Sequence, residues 1–371
     1  MMANSLDEFD WTQFDSCAGK DIDLGSLLHD LGSDELGSRA NARGMLSDWP
    51  YEGFGRLGAM PQVLRFMIET LSDESSQDKP ELLELIVELA EGASDYSEFK
   101  QWYSESREDL TEEIRRAFES GGETYMKMLS GTTADMRIAA CKALSHISSS
   151  TSLGPLLDQL RVESDDSVCR EVMTAIGRLK PDAVEPEIEH RLKSNDPETA
   201  LSAATAVCRI THGDHETAFA TLAKLATTPG KQIKQSDVAS SALSVIEELG
   251  DESLRAAVDQ WVNRMTTVSI DDLAEYVHRL IICCFPPHPY PAIRSDTISS
   301  AQSKVLAEII ACDSYWEIQN YVVEQEPPYP PLTVDVARER KKLLSRYTMP
   351  NSRKELREFV QDAHRKSQGR D

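Results

Sequence analysis

Apolar positions in the middle of the chain recur with the spacing of amphipathic helices. Four segments begin at Asp135, Ser167, Glu198 and Asp237, and each carries apolar residues at i, i+4, i+7, i+8 and i+11, with Thr199 as the one polar exception. This spacing places an apolar stripe along one side of a helix. A second amphipathic segment follows each of the four, so the repeating unit is predicted to be a pair of helices.

Successive copies are offset by 32, 31 and 39 residues, and a period of this length with two helices indicates an α-solenoid. We therefore expect an all-α fold, a right-handed α–α superhelix. Asp166, and Asp196 followed by Pro197, are helix-start signals. Small residues at matching positions would let neighbouring helices approach closely. These residues are Ala140, Ala143, Ala175, Ala203, Ala206 and Ala242.

The first copy resembles the HEAT-repeat family, in particular its bacterial form, whose repeat helix starts with aspartate–x–x–valine–arginine–x–x–alanine. Asp135-Met136-Arg137 keeps the arginine, which is replaced by Cys169, Ala200 and Ala239 in the later copies. The resemblance covers residues 134–265. These repeats are also similar to the HEAT-like repeats of lyases that attach bilin chromophores. The resemblance implies a fold and does not by itself imply an activity.

The pattern divides the chain into four predicted segments. They are an acidic arm (1–22), degenerate N-terminal helical repeats (23–131), HEAT-like repeats (132–284) and C-terminal helices with proline-rich straps and a basic tail (285–371). The arm carries Phe9, Trp11 and Phe14 between its acids. It is predicted to be either a mobile arm or a cap whose aromatic side chains dock on the first helices, because solenoids need capped ends.

Proline-rich breaks at 285–291 and 326–332 cannot lie inside helices and are interpreted as extended connectors. Between them, residues 299–311 and 315–323 are each predicted to form a helix. The stretch from Thr227 to Ser236 is interpreted as the long loop that accounts for the 39-residue offset.

The charge of the chain is strongly negative: 63 Asp and Glu against 39 Lys and Arg give −24. Residues 336–371 hold eleven bases and five acids, a net +6, which leaves −30 for residues 1–335. This disfavours nucleic-acid binding, which depends on neutralising phosphates, and favours a basic partner. The tail either packs back on the acidic body or forms a separate contact site for an acidic partner.

Cysteines and hydropathy bear on the compartment. The seven cysteines include no CxxC pair and are predicted to be reduced, mostly buried thiols of a cytoplasmic protein. They are Cys17, Cys141, Cys169, Cys208, Cys283, Cys284 and Cys312. No apolar stretch reaches 18 residues, so no membrane span is expected.

One dense group of potential metal ligands occurs, His212-Gly213-Asp214-His215-Glu216. It does not have the HExxH order of zinc hydrolases, and we interpret it as a loop and helix start with Asp214 as the cap. The HEAT-like deoxyhypusine hydroxylases bind iron through several His-Glu pairs, whereas this chain has only His215-Glu216. Phosphate-binding glycine loops and the GxSxG nucleophile motif are also missing. We therefore assign no catalytic, cofactor-binding or metal-binding residue.

These features favour a non-catalytic protein–protein interaction scaffold. One specific version is an acidic inhibitor or immunity-type partner of a basic protein such as a nuclease. The alternative is a HEAT-like enzyme or accessory factor, similar to the bilin lyases or to base-repair proteins. HEAT-like DNA glycosylases bind DNA in a basic groove, and the −30 body argues against that version.

Overall fold

The computed structural model describes residues 9, 11, 23–48, 58–95, 107–228, 233–285, 298–323, 332–346, 349–350 and 352–367. Within this part of the chain, nineteen helices and one two-stranded antiparallel sheet account for the regular structure. Helices account for most of this part of the chain and pack against one another in layers, so the predicted all-α class is confirmed. The chain forms two compact units, unit 1 (Met1–Pro181) and unit 2 (Asp182–Asp371).

Unit 1 contains nine described helices. They are α1 (Leu24–Asp30), α2 (Leu36–Asp48), α3 (Met60–Ser72), α4 (Lys79–Asp95), α5 (Arg107–Glu119), α6 (Gly122–Leu129), α7 (Ala134–Leu144), α8 (Ser149–Val162) and α9 (Asp166–Leu179). Helices α4, α7 and α9 lie side by side in one row, while α3, α6 and α8 form the row behind them, with α5 against α3. Unit 1 therefore has two layers of helices around one apolar core.

Unit 2 contains ten described helices and the sheet. They are α10 (Pro186–Arg191), α11 (Pro197–Ile210), α12 (Glu216–Ala226), α13 (Ile233–Glu248), α14 (Asp251–Met265), α15 (Ile270–Cys284), α16 (Ser300–Ala311), α17 (Asp313–Glu317), β1 (Asn320–Val323), β2 (Leu332–Asp335), α18 (Val336–Arg346) and α19 (Arg353–Ser367). Helices α11 and α13 form one row, and α12 and α14 form the other. These helices of unit 2 therefore also form two layers.

The four copies of the sequence repeat correspond to α7, α9, α11 and α13. The small residues that the pattern places between helices, including Ala140, Ala175 and Ala206, are completely buried. Neighbouring helices therefore pack closely at these positions, as predicted, because a larger side chain would hold their backbones apart. The polar exception Thr199 is also buried, and its hydroxyl donates to Asp196 Oδ2 at 2.6 Å.

Aromatic residues of the acidic arm dock on the first helices, which was one of the two alternatives left open by the sequence. The rings of Phe9 and Trp11 lie 4.5 Å apart, and that of Trp11 lies 5.4 Å from Phe66 on α3. Trp11 also lies close to Gly25 in α1, where a side chain would meet the indole at 3.0 Å. Phe14 lies outside the described residues.

The predicted helix at 315–323 is wrong in its second half. Helix α17 ends at Glu317, and the residues from Asn320 to Val323 form β1, with Asn320 paired to Asp335 and Val323 paired to Leu332. Aromatic and β-branched residues such as Tyr321 and Val322 favour an extended backbone. The apolar pattern of so short a run does not distinguish a strand from a helix.

Three other local predictions need correction or lie outside the described residues. The loop expected at 227–236 is shorter, because α13 already begins at Ile233. Asp165 rather than Asp166 caps α9, with its Oδ1 accepting from Ser167 N at 2.9 Å and from Val168 N at 3.1 Å. The proline-rich segments fall largely outside the described residues.

Candidate functional site

An acidic stripe runs along the exposed side of α4. It comprises Glu81, Glu84, Glu88 and Glu91, which are exposed and three or four residues apart, so they share one side of the helix. The opposite side of α4 is buried in the core of unit 1. From the sequence, these acids were only part of a generally acidic chain. The packing of α4 shows that they lie together on one surface.

The acidic stripe contacts basic residues of α7, of the turn that follows it and of α9. Lys142 Nζ lies 2.8 Å from Glu84 Oε1. His146 Nε2 lies 2.8 Å from Glu91 Oε1, and the Arg178 guanidinium is 3.2 Å from the same imidazole nitrogen and 3.8 Å from Glu91. The acids of α4 therefore lie beside basic side chains that come from the first two copies of the repeat.

Two side chains on this surface have pKa values that differ from the ordinary ones. Burial lowers the pKa of His146, and the nearby Arg178 lowers it further, although Glu91 opposes both. Burial raises the pKa of the Glu171 carboxyl on α9; Glu84 adds to this rise, while Lys142 and Arg178 oppose it. The surface thus combines exposed carboxylates with one carboxyl that is partly withdrawn from water.

One position of the repeat carries an ionisable side chain in every copy. His146, Arg178, Arg209 and Glu248 each lie eleven residues after the start of their copy. In unit 1 this position joins α7 to α9 through the contact between His146 and Arg178. In unit 2 it joins α11 to α13, where Arg209 donates to Glu248 at 2.6 and 3.1 Å. Adjacent copies in each unit are therefore linked by polar contacts at the same turn.

The repeat-family arginine also has a defined partner. Arg137 Nε lies 2.8 Å from Glu163 Oε2, and Arg137 Nη2 lies 3.1 Å from Glu163 Oε1. Glu163 also accepts hydrogen bonds from Gln159 and from the backbone N–H of Asp165, and its side chain is only 4% exposed. Burial by itself would raise the pKa of this carboxyl, but these hydrogen bonds outweigh it and hold the pKa at about 2. This pair is structural, because it joins the residue that follows α8 to the first turn of α7.

The group from His212 to Glu216 forms a turn and a helix start. His212 and Gly213 have positive φ angles of 52° and 87°. His215, and not Asp214 as expected, caps α12: its Nδ1 accepts from Ala218 N at 3.3 Å, and its Nε2 lies 3.4 Å from Glu189. No cluster of three or more His, Cys, Asp or Glu side chains that could hold a metal ion occurs among the described residues.

The described cysteines are free thiols. Cys141, Cys169, Cys208, Cys283 and Cys284 are buried, and Cys312 is half-buried. Burial raises the pKa of the Cys208 thiol to about 12, which disfavours the reactive thiolate. Cys17 lies outside the described residues.

Part of the basic tail packs on the preceding helices of unit 2. Arg340 on α18 is 9% exposed, donates to the Tyr315 carbonyl at 3.2 Å and lies 4.5 Å from the ring centre of Trp316. Arg353 on α19 donates to the Ile310 carbonyl at 2.7 Å and pairs with Asp313. Two of the eleven basic residues of the tail thus serve as internal anchors, while others, including Lys354, Arg357 and Arg365, are exposed.

Sequence reasoning did not single out the α4–α7–α9 surface. The signal for Glu171 was present, because the other copies carry Ala139, Ser202 and Ser241 at its position, so an acid there departs from the pattern. The side chains that contact Arg137 and Arg178 could not be predicted from the sequence, because these contacts depend on which helices pack side by side. Among the described residues, none of the helices has the length and apolar character needed to span a bilayer.

Comparisons with known proteins found solved structures of low similarity. No family model matches it, and no curated protein does. The complex of CpcE and CpcF of phycocyanin lyase from Nostoc sp. PCC7120 matches with a TM-score of 0.46 and 15% identity over 82% of this chain and 98% of that one. Kap121p bound to Pho4p matches with a TM-score of 0.37 and 14% identity over 79% of this chain and 36% of that one. An engineered protein matches with a TM-score of 0.27 and 15% identity, covering 94% of this chain and 97% of that one.

Proposed function

We propose that this protein is a non-catalytic scaffold that binds a basic protein partner in the cytoplasm. The observation that carries the proposal is the uneven charge of the two units. Unit 1 holds 34 Asp and Glu against 17 Lys and Arg, a net −17, whereas unit 2 holds 29 against 22, a net −7. Unit 1 therefore carries most of the total charge of −24.

The acidic stripe on α4 is the proposed centre of this interaction. Glu81 and Glu88 would receive Lys or Arg side chains of the partner. Glu84 and Glu91 would exchange their exposed contacts with Lys142 and His146 for contacts with it. Exposed ion pairs contribute little to stability, so such an exchange has a small cost. A steering field of this sign raises association rates with basic proteins.

A specific form of the proposal is an inhibitor or immunity-type role. A nuclease or another nucleic-acid-binding protein presents Lys and Arg where it contacts phosphates. An acidic repeat surface could cover those residues and block the access of nucleic acid. The buried, reduced thiols support the cytoplasmic part of the proposal, because intracellular proteins keep cysteines in this form.

The test is capture of partners from a lysate of the native host, followed by affinity measurement with the purified partner. The variant Glu81→Gln/Glu88→Gln removes two charges from the acidic stripe. The matched control Glu247→Gln/Glu317→Gln removes two exposed charges from unit 2. We expect the stripe variant to bind about tenfold more weakly, which corresponds to about 1.4 kcal/mol, and the control to change binding less than about twofold.

Two results would overturn the proposal. One is a captured partner that is acidic or that binds both variants equally well. The other is turnover of a small molecule by the purified protein, which would favour an enzyme or an enzyme accessory on the same scaffold.

A further inference from the structure

A groove opens between α16 and α19 in unit 2. Its volume is about 890 Å³. The first two turns of α16 and the last two turns of α19 supply nearly all of its lining. The lining comprises Ile298, Ser299, Ser303, Lys304, Ala307, Val360, Gln361, Ala363, His364 and Arg365.

The two helices run antiparallel and are held together at the other end of the pair. There, Arg353 at the start of α19 donates to the carbonyl of Ile310 near the end of α16. At the groove end, Ala307 and Ala363 leave space between the helices because their side chains are single methyl groups. The groove is therefore a built-in opening between two anchored helices.

The lining combines an apolar floor with a cationic rim. Ile298, Ala307 and Val360 contribute apolar surface, while Lys304 and Arg365 stand at the rim with side chains 47% and 68% exposed. Among the described residues that line the groove, none is acidic, in a chain with 63 acids. The lining of the groove therefore differs from the acidic stripe of unit 1 in the sign of its charge.

Each cation of the rim has an acidic neighbour outside the lining. Lys304 Nζ lies 2.8 Å from Asp259, and Arg365 Nη2 lies 3.7 Å from Asp362. Both contacts are exposed surface ion pairs, which contribute little free energy. A carboxylate brought by a partner can therefore take over these cations.

The size of the groove indicates what it accommodates. A helix with its side chains is about 10 Å across and rises about 5.4 Å per turn, so about two turns of helix fill about 890 Å³. We propose that the groove binds an acidic amphipathic helix of a protein partner. Its apolar residues at i, i+3, i+4 and i+7 would lie on the floor, and its acids would face Lys304 and Arg365. This inference does not depend on the proposed function, which uses a different surface and a basic partner.

The probe is a synthetic acidic amphipathic peptide of about 15 residues, with leucines on one face and glutamates on the other. A second peptide has lysine in place of each glutamate. Fluorescence anisotropy with the full chain should show binding of the acidic peptide and at least about tenfold weaker binding of the basic one.

Variants locate the binding in the groove. Ala307→Trp fills the groove from an exposed position of α16, and Arg365→Glu reverses one rim charge. Each should weaken binding of the acidic peptide about tenfold. Lys354→Glu makes the same change of charge on an exposed residue of α19 outside the groove, and it should alter binding less than about twofold. Circular dichroism and thermal melting of each variant check that the fold is retained.

Three outcomes would overturn the inference. The first is that the acidic peptide does not bind at about 1 mM. The second is that Ala307→Trp and Arg365→Glu affect binding no more than Lys354→Glu does. The third is that a peptide of residues 1–22, the acidic arm of this chain, binds more tightly than the probe and the full chain self-associates, which would make a second copy the occupant.

Discussion

At the scale of single residues, the pair between Arg137 and Glu163 shows how a repeat signature acts. The sequence identifies the arginine through its family pattern, but its partner lies 26 residues away, beyond the second helix of the pair. The pairing depends on the position of the residue that follows α8 beside the first turn of α7, which no local pattern reports. Glu163 is accordingly the residue in this region whose importance the sequence could not predict.

We predict that Glu163→Gln destabilises unit 1 in a pH-dependent way. The folded-state pKa of about 2 lies below the ordinary value of 4.5, so the ionised carboxylate stabilises the fold above pH 4.5, and this contribution is lost as the pH falls towards 2. A shift of this size corresponds to on the order of 3 kcal/mol. Urea unfolding at several pH values should show the variant less stable at pH 7 and converging with the native protein near pH 2.

Glu69→Gln, which removes an exposed carboxylate from α3, is the matched control and should follow the native pH profile. Parallel stability curves for Glu163→Gln and the native protein between pH 2 and 5 would contradict the assigned role of this pair.

At the scale of elements, the sequence predicted helices well where the apolar pattern is long and small residues set the spacing. The four repeat helices begin within four residues of the starts of the predicted segments. The prediction from the sequence failed at β1, where a short apolar run fits both a helix and a strand. It also failed at the cap of α12, which is His215 and not Asp214. At such positions two local structures have similar energies, and the tertiary packing determines which of them forms.

We predict opposite tolerance to an acid at two neighbouring positions of α11. Ala206 is completely buried, so Ala206→Asp places an unpaired charge in the core and should cost about 3 kcal/mol or more, or prevent folding. Ser202 is half-buried, and the matching position in α9 already carries an acid, Glu171. Ser202→Asp should therefore cost less than about 1 kcal/mol. Thermal denaturation of both variants measures the difference, and equal shifts in Tm would show that the register of α11 is misassigned.

At the scale of the whole molecule, composition predicts the net charge but not its distribution. The repeat pattern runs without a break from residue 134 to residue 265, yet the chain separates into units at Pro181, between the second and third copies. The helix before this boundary ends with Lys180 in a left-handed conformation, followed by a proline, which stops the helix. The sequence therefore could not show that most of the negative charge belongs to one unit.

Binding of double-stranded DNA tests whether the surface of the protein is negatively charged. We predict that the full chain does not bind DNA at physiological salt, except weakly through exposed bases of the tail. Lys354→Gln/Arg357→Gln tests this better than removing the tail, because Leu344 and Leu356 of α18 and α19 are buried and their loss would expose the core. Gel-shift titration should show residual binding reduced in this variant. Tight binding that persists in it would contradict the prediction.

The last prediction concerns how a basic partner associates with unit 1. If the net −17 of this unit steers the encounter, the association rate should fall steeply as salt is added, because the Debye length shrinks from about 10 Å at 0.1 M to about 3 Å at 1 M. The dissociation rate should change much less, since steering acts before contact. Stopped-flow or surface-binding kinetics with the captured partner over this range of salt would separate the two rates. A salt dependence confined to dissociation would mean that short-range contacts, and not the charge of unit 1, govern recognition.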